Sequence, residues 1–297
     1  MLFTKDYIRS AHCSIIEGMT RVYVTLTTMA YLDNSEIKLP PHPNQSMEEL
    51  ADIGVDAEAR ALLRYLPYLD NERGISPSTK SYSYLSDVVN ARRVLWDGEN
   101  DLAPWVIRLS ECPPAAASHG RTIIYDLRTK RIAEWPNNEG GYTNPYLDLP
   151  TSTPEEYFGR WVEFLKDLKE IPWRNKKVYE MISEPPAPPS GFLDYLINGY
   201  VDPTEGPPPR NPRQPQLGMN DGLYMRETRK RLYRNSGWPD DFDKEDFRER
   251  RQNWQEENDT LNNARAVAWT VSADAKAAAF AEYTKFLARS AGMELME

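Results

Sequence analysis

Thr122-Ile123-Ile124-Tyr125-Asp126-Leu127-Arg128-Thr129-Lys130-Arg131-Ile132-Ala133-Glu134-Trp135 holds two runs rich in branched and aromatic side chains around a short polar connection, Arg128-Thr129-Lys130. Such side chains suit a pleated, half-buried surface, so the stretch predicts a β-hairpin. A lone hairpin is marginal in water and needs a further strand. Trp105-Val106-Ile107-Arg108-Leu109, just before the loop Glu111–Gly120, is the partner at hand. Connections this short favour antiparallel pairing.

On the C-terminal side of the hairpin, Thr153-Pro154-Glu155-Glu156 combines an N-cap, a proline at the first helical position and a capping-box glutamate. Tyr157, Phe158, Trp161, Val162, Leu165 and Leu168 then share one helical face, with Glu163, Lys166 and Lys169 opposite. That face is wide enough to cover one side of the sheet. On the N-terminal side, Ile8, Ala11, Ile15, Met19, Val22, Tyr23 and Leu26 recur at three and four residues, an amphipathic helix within Tyr7–Leu32. Residues 21–28, RVYVTLTT, are β-branched enough to read as a strand instead. KLPPHPNQ reads as a linker that leaves His42 solvated. Ser46 and Glu49 form a capping box for a short helix ending at Gly54, and Asp56 caps a second one carrying Ala59, Leu62, Leu63 and Leu66. The fold class expected is α+β: a small antiparallel sheet packed by helices, with a long helical C-terminal extension.

Residues 183–218 contain ten prolines and four glycines in 36 positions, which opposes regular structure. Phe192-Leu193-Asp194-Tyr195-Leu196-Ile197 lies inside this segment and predicts an apolar plug docked on the front of the chain. Helical pattern returns from Leu223 to Asn235 and from Asp243 to Ala291. Phe247, Trp254, Leu261, Ala268 and Ala275 recur every seven residues, as in a coiled coil. Arg251, Asn258 and Arg265 occupy the second seam, which disfavours a homo-oligomeric coiled coil. The pattern predicts a long, polar, narrowly packed helix broken near Val271-Ser272, with a better apolar face at Ala277, Phe280, Tyr283 and Leu287. The divisions expected are an α+β domain (1–182), a proline-rich segment (183–218) and a helical tail (219–297).

Composition narrows the function classes. Of 297 residues, 40% are apolar and eight are Trp, too aromatic for wholesale disorder. Apolar runs stay far short of the roughly 20 residues a bilayer crossing needs, and MLFTKDYIRSAHC lacks the apolar core of a secretory signal. These features predict a soluble, cytoplasmic chain, with the nucleus as the alternative. Two isolated cysteines, Cys13 and Cys112, fit a reducing compartment better than a disulfide framework, although they leave one bridge open. A net charge of −9 disfavours nucleic acid, whose binding rests on neutralising phosphates.

Few residues carry a chemical signal. Cys112, His119 and Asp126 can be drawn as a nucleophile, base and orienting acid around one end of the sheet, with Trp105 and Trp135 as walls. His12 and Cys13 are adjacent, and neighbours on a helix diverge by about 100°, so they read as partly buried helix residues. Three scattered His and two distant Cys supply no metal site, and phosphate-cradling glycine loops do not occur, so no cofactor is expected. Asp243 reads as a helix cap within Asp240–Asp246, not as a calcium ligand. Arg226, Arg229, Lys230, Arg231 and Arg234 read as a solvated face paired with that acidic stretch.

The order of elements over about residues 45–170 resembles fungal members of the SUKH superfamily. The resemblance rests on Asp52-Ile53-Gly54-Val55-Asp56, on Leu62-Leu63-Arg64-Tyr65-Leu66-Pro67-Tyr68-Leu69, on the hairpin from Thr122 to Ile132 and on the capped helix from Thr153. That group includes a yeast regulator of cell-wall synthesis and bacterial toxin-immunity proteins. The resemblance implies a sheet with a closing helix behind it and a non-catalytic module that binds protein partners; it transfers no functional residue. The chain differs from the pattern in lacking an Asn-Gly pair after an early helix and in its C-terminal extension. The function expected is therefore a protein-interaction or regulatory module, with an enzyme using Cys112, His119 and Asp126 as the alternative.

Overall fold

Thr4 caps helix α1 (Lys5–Ala11) by accepting a hydrogen bond from the Tyr7 amide at 3.3 Å. His12 interrupts the helical run at φ −127°, ψ 24°, and α2 (Cys13–Thr28) follows at once. The ambiguous stretch 21–28 is thus helical. Its threonines are accommodated because their hydroxyls bond back one turn, Thr25 to the Arg21 carbonyl at 2.8 Å and Thr28 to that of Val24 at 2.9 Å. Burial of Ile15, Met19, Val22, Tyr23 and Leu26 on one face outweighs propensity differences of under about 1 kcal/mol per residue.

The computed structural model describes residues 3–43, 47–70, 73–76, 79–88, 92, 102–112, 121–136, 149–173, 177–180, 219–269 and 273–292. The chain is α+β and divides into two compact units, Met1–Glu180 and Met181–Glu297. The predicted plug at Phe192–Ile197, the cap at Ser46 and the break at Val271-Ser272 lie outside the described residues.

In the first unit, β1 (Ile37–Lys38) precedes α3 (Met47–Asp52) and α4 (Ala57–Leu63), and pairs antiparallel with β2 (Tyr68–Leu69). Gly54 ends the turn after α3 with φ +78°, and the Asp56 side chain caps α4 by accepting from the Glu58 amide at 2.8 Å. His42 is not solvated as expected. It is 8% exposed, donates from Nε2 to the Leu66 carbonyl at 2.8 Å and leans on Tyr68, because the β1–β2 pairing draws this segment against the end of α4.

Next come β3 (Gly74–Ser76), β4 (Thr79–Ser81), β5 (Val106–Arg108), β6 (Ser110–Glu111), β7 (Arg121–Asp126), β8 (Arg131–Pro136) and β9 (Thr151–Ser152). Among the described residues, β5-β7-β8-β9 form one antiparallel sheet and β3-β4-β6 another. Leu109 and Ser110 join the two. The Leu109 amide donates to the Ile123 carbonyl at 2.8 Å, and the Ile123 amide donates to Ser110 Oγ at 3.0 Å. Helix α5 (Pro154–Lys166) carries the predicted capping box, and β10 (Glu170–Trp173) pairs with β11 (Lys177–Glu180).

Both faces of the sheet are covered. On one, Leu102, Val106, Ile124 and Ala133 cluster with Trp105 and Leu149. On the other, α5 shares the cover with α2 instead of spanning the sheet alone. Met19, Val22, Tyr23, Phe158 and Trp161 meet Ile75, Leu109 and Ile123 around a void of about 10 Å³. That is at the lower limit for one water molecule. Gly18 permits the helices to close: a Cβ there would stand 2.2 Å from Cδ2 of Phe158.

In the second unit, α6 (Met219–Asn235), α7 (Lys244–Trp269) and α8 (Ala273–Ala291) pack on one another. Around the α6–α7 turn, Tyr233, Trp238, Phe242 and Phe247 stack at 4.2–6.1 Å. The Asp243 side chain caps α7, accepting from the Glu245 and Asp246 amides at 2.9 and 3.0 Å. The helical run expected over 243–291, with its break near Val271-Ser272, is two helices, one ending at Trp269 and the next starting at Ala273, which pack as an antiparallel pair. Trp254 stacks on Phe286 at 6.0 Å, Tyr283 donates to Asn258 at 3.1 Å, and Arg265 lies over Phe280 and Tyr283. Two of the residues that spoil the seam of a coiled coil, Asn258 and Arg265, pair α7 with α8, while Arg251 lies over Phe247 of its own helix.

Candidate functional site

Of the trio drawn from the sequence, Cys112 and Asp126 are described, and they stand at different levels along β7. Cys112 is buried just beyond β6, level with the start of β7. Asp126 ends β7, opposite Val106. Five strand residues separate these levels, roughly 15 Å at about 3.3 Å per residue. Asp126 Oδ1 is engaged in the hairpin turn, accepting from the amides of Arg128 and Thr129 at 2.8 and 3.0 Å. Trp105, proposed as a pocket wall, is capped by the guanidinium of Arg128 at 3.1 Å. His119, residues 113–120 and residues 137–148 lie outside the described residues, as does the Trp135 side chain.

The structure assembles a different constellation at the α1–α2 corner. His12 is 2% exposed. Its Nε2 lies 3.2 Å from Glu58 Oε1 on α4, and its Nδ1 lies 3.0 Å from the Tyr125 hydroxyl on β7. A carboxylate only accepts, so Nε2 carries the proton of the neutral ring and Nδ1 accepts from Tyr125. Tyr7, 48% exposed on α1, donates to the same Glu58 oxygen at 3.1 Å. Burial lowers the pKa of His12 from its ordinary value, against the opposing pull of the Glu58 carboxylate. Burial, with Glu58 adding its negative charge, raises that of Tyr125. Cys13 is exposed, and Ser14 beside it donates to Glu155 at the start of α5.

Two further ionic clusters stand inside the unit. Glu134 on β8 accepts from the Tyr157 hydroxyl at 2.6 Å and from Arg121 at 3.0 Å, and Glu170 accepts from Ser76 at 3.0 and 3.1 Å. Arg108, 2% exposed, pairs with Glu111 at 3.3 Å and lies 4.9 Å over the Tyr82 ring, while Lys80 reaches Glu111 at 2.7 Å. The sequence does not bring the His12 group together, because its partners are far apart along the chain: 46 residues for His12 and Glu58, 113 for His12 and Tyr125. In the second unit the basic run is not the solvated face expected: Arg229 is buried, Arg231 donates to the Arg289 carbonyl at 2.9 Å, and Arg226 and Lys230 pair with Glu227 at 3.4 Å, while Asp246 takes Ser236 and Arg250 at 2.7 Å.

Among the described residues, no group of three or more His, Cys, Asp or Glu stands close enough to hold a metal ion, and no helix is long and apolar enough to cross a membrane. The chain matches no protein-family model, no curated protein and no solved structure significantly.

Proposed function

We propose that this chain is a non-catalytic protein-interaction module, with the sheet unit as scaffold and the proline arms of residues 183–218 as the contact for a partner. The observation that carries the reading is the engagement of three described polar groups in the first unit. His12 is clamped between Glu58 and Tyr125, Glu134 between Tyr157 and Arg121, and Asp126 caps a turn. Each serves to hold one element to another. The resemblance over residues 45–170 to a superfamily of protein-binding modules points the same way.

The partner class follows from the composition of the arms. Pro185-Pro186-Ala187-Pro188-Pro189 and Pro207-Pro208-Pro209 favour the extended polyproline conformation, which loses little entropy on docking. Domains with aromatic-lined grooves recognise such tracts. The test is binding of the full chain to a panel of purified SH3, WW and EVH1 domains, beside a variant with these seven prolines changed to alanine. Saturable binding that the variant loses supports the proposal. No binding to any panel member, or equal binding by the variant, overturns it.

A further inference from the structure

The α1–α2 corner is tied to both α4 and β7 through one titratable ring, with Tyr7 adding a second tie from α1 to Glu58. Helix α1 has seven residues and one buried side chain, Ile8, and helices so short are not stable alone. His12, its C-cap, reaches out of the corner to α4 through Glu58 and to β7 through Tyr125. We propose that His12 is a proton-operated latch on α1: neutral, it pins the corner to α4 and β7, and protonated, it releases the helix.

The step is a single proton transfer from water to Nδ1. In the neutral ring Nδ1 accepts from the Tyr125 hydroxyl; once protonated it donates, and the Tyr125 O–H must turn away. Among the described contacts His12 is the hydrogen-bond partner of that hydroxyl, and Tyr125 is 1% exposed, so the displaced donor faces the interior unpaired. Leaving a buried donor unmade is the costly outcome for a hydrogen bond.

The charged and titratable groups around the ring do not all oppose this. Glu58 on α4 favours the cation, Lys130 in the β7–β8 turn opposes it, and burial opposes it most. Tyr7 on α1, Asp126 on β7, Cys13 on α2 and Glu155 on α5 complete the surroundings of the His12–Glu58–Tyr125 group. Glu58 is a quarter exposed and Tyr7 half exposed, so the Nε2 edge of the ring faces a partly solvated carboxylate. The sign follows from burial: the folded state binds the proton less readily than the unfolded chain. The stability His12 confers is full above the unfolded value of about 6.5 and is lost as the pH falls through it toward the lower folded value.

Hydrogen exchange of the full chain, followed by mass spectrometry from about pH 8 to pH 5 and corrected for the intrinsic rate, tests the latch. Protection over Lys5–His12 is expected to fall with decreasing pH, by at most about tenfold per unit for one proton. Protection of α5 is expected to stay flat over the same range. His12→Gln, which keeps a neutral hydrogen-bonding side chain, should abolish the response. Tyr125→Phe should weaken it and bring the His12 titration, read by NMR, closer to its ordinary value. PH-independent protection of α1 in the wild type, or an undiminished response in the Tyr125→Phe protein, overturns the latch even if His12→Gln does not fold.

Discussion

Gly18→Ala sets helix propensity directly against packing. In an exposed helix the change from glycine to alanine stabilises by about 1 kcal/mol. At Gly18 the new Cβ would stand 2.2 Å from Cδ2 and 2.7 Å from Cγ of Phe158, where carbon atoms rest about 3.5–4.0 Å apart. The ring has little freedom to yield. Phe158 is 1% exposed, lies nearly parallel to Trp161 at 14° and meets Tyr157 edge-on at 87°. Overpacking of this kind costs about 1–3 kcal/mol, and the displacement required puts it at the upper end, so the net loss is about 1–2 kcal/mol.

The double mutant separates the two terms. Phe158→Ala alone should cost about 3–5 kcal/mol. In that background the methyl group at position 18 enters vacated space, the clash disappears, and only the propensity gain of about 1 kcal/mol remains. Gly18→Ala therefore changes sign between backgrounds, with a coupling of about 2–3 kcal/mol. The chain has two compact units, so a whole-chain melt would mix their transitions. Native-state hydrogen exchange of α2 and α5 amides gives the local value, and a loss of about 1–2 kcal/mol appears as a 5–30-fold fall in protection. If Gly18→Ala raises protection equally in both backgrounds, Gly18 does not serve the close approach of α5.

Thr153→Ala removes the oxygen that accepts from the Glu156 amide at 3.3 Å and should cost about 1 kcal/mol; Thr153→Ser should recover most of it, both read as urea midpoints by α5 exchange. Glu134→Ala strips the buried Tyr157 hydroxyl of its 2.6 Å acceptor and should cost about 1–3 kcal/mol, whereas Glu134→Gln, whose amide oxygen still accepts, should cost less by the same measurement. Phe247→Ala removes a fully buried ring stacked at 4.2 Å on Tyr233 and should cost about 3–5 kcal/mol, seen as lost protection in α6 and α7.

What the sequence made legible was local. The hairpin of β7 and β8, the capping box at Thr153–Glu156 and the caps at Asp56 and Asp243 each depend on residues a few positions apart. Strands of two or three residues, such as β1, β2, β3 and β6, carry too few side chains for a period to register, and pairing with distant segments is what defines them. The His12 group failed to register for a related reason. Its neighbour Cys13 drew attention as a nucleophile partner, but the helix corner turns the ring toward Glu58 and Tyr125, which only the tertiary fold brings near. Cys112 and Asp126 show the converse, since two residues near in sequence are held apart by the length of β7.

The seam of α7 shows how a local feature can be read correctly while its partner stays hidden. Arg251, Asn258 and Arg265 do exclude an apolar second stripe, but a polar seam is a defect only against an identical partner. Against α8 two of these positions are complementary: the Asn258 oxygen receives the Tyr283 hydroxyl, and Arg265 lies 4.3 and 4.0 Å over the Phe280 and Tyr283 rings. A cation over an aromatic face and a satisfied buried amide both need a partner of different composition. The alanine-rich, aromatic face of α8 supplies it within one chain. A second copy reaching Trp254 or Asn258, 7% and 6% exposed, would first have to displace α8, losing both contacts. The spacing thus records intramolecular packing, with Phe247 buried in the α6–α7 turn and Trp254, Asn258 and Arg265 matched to the returning helix.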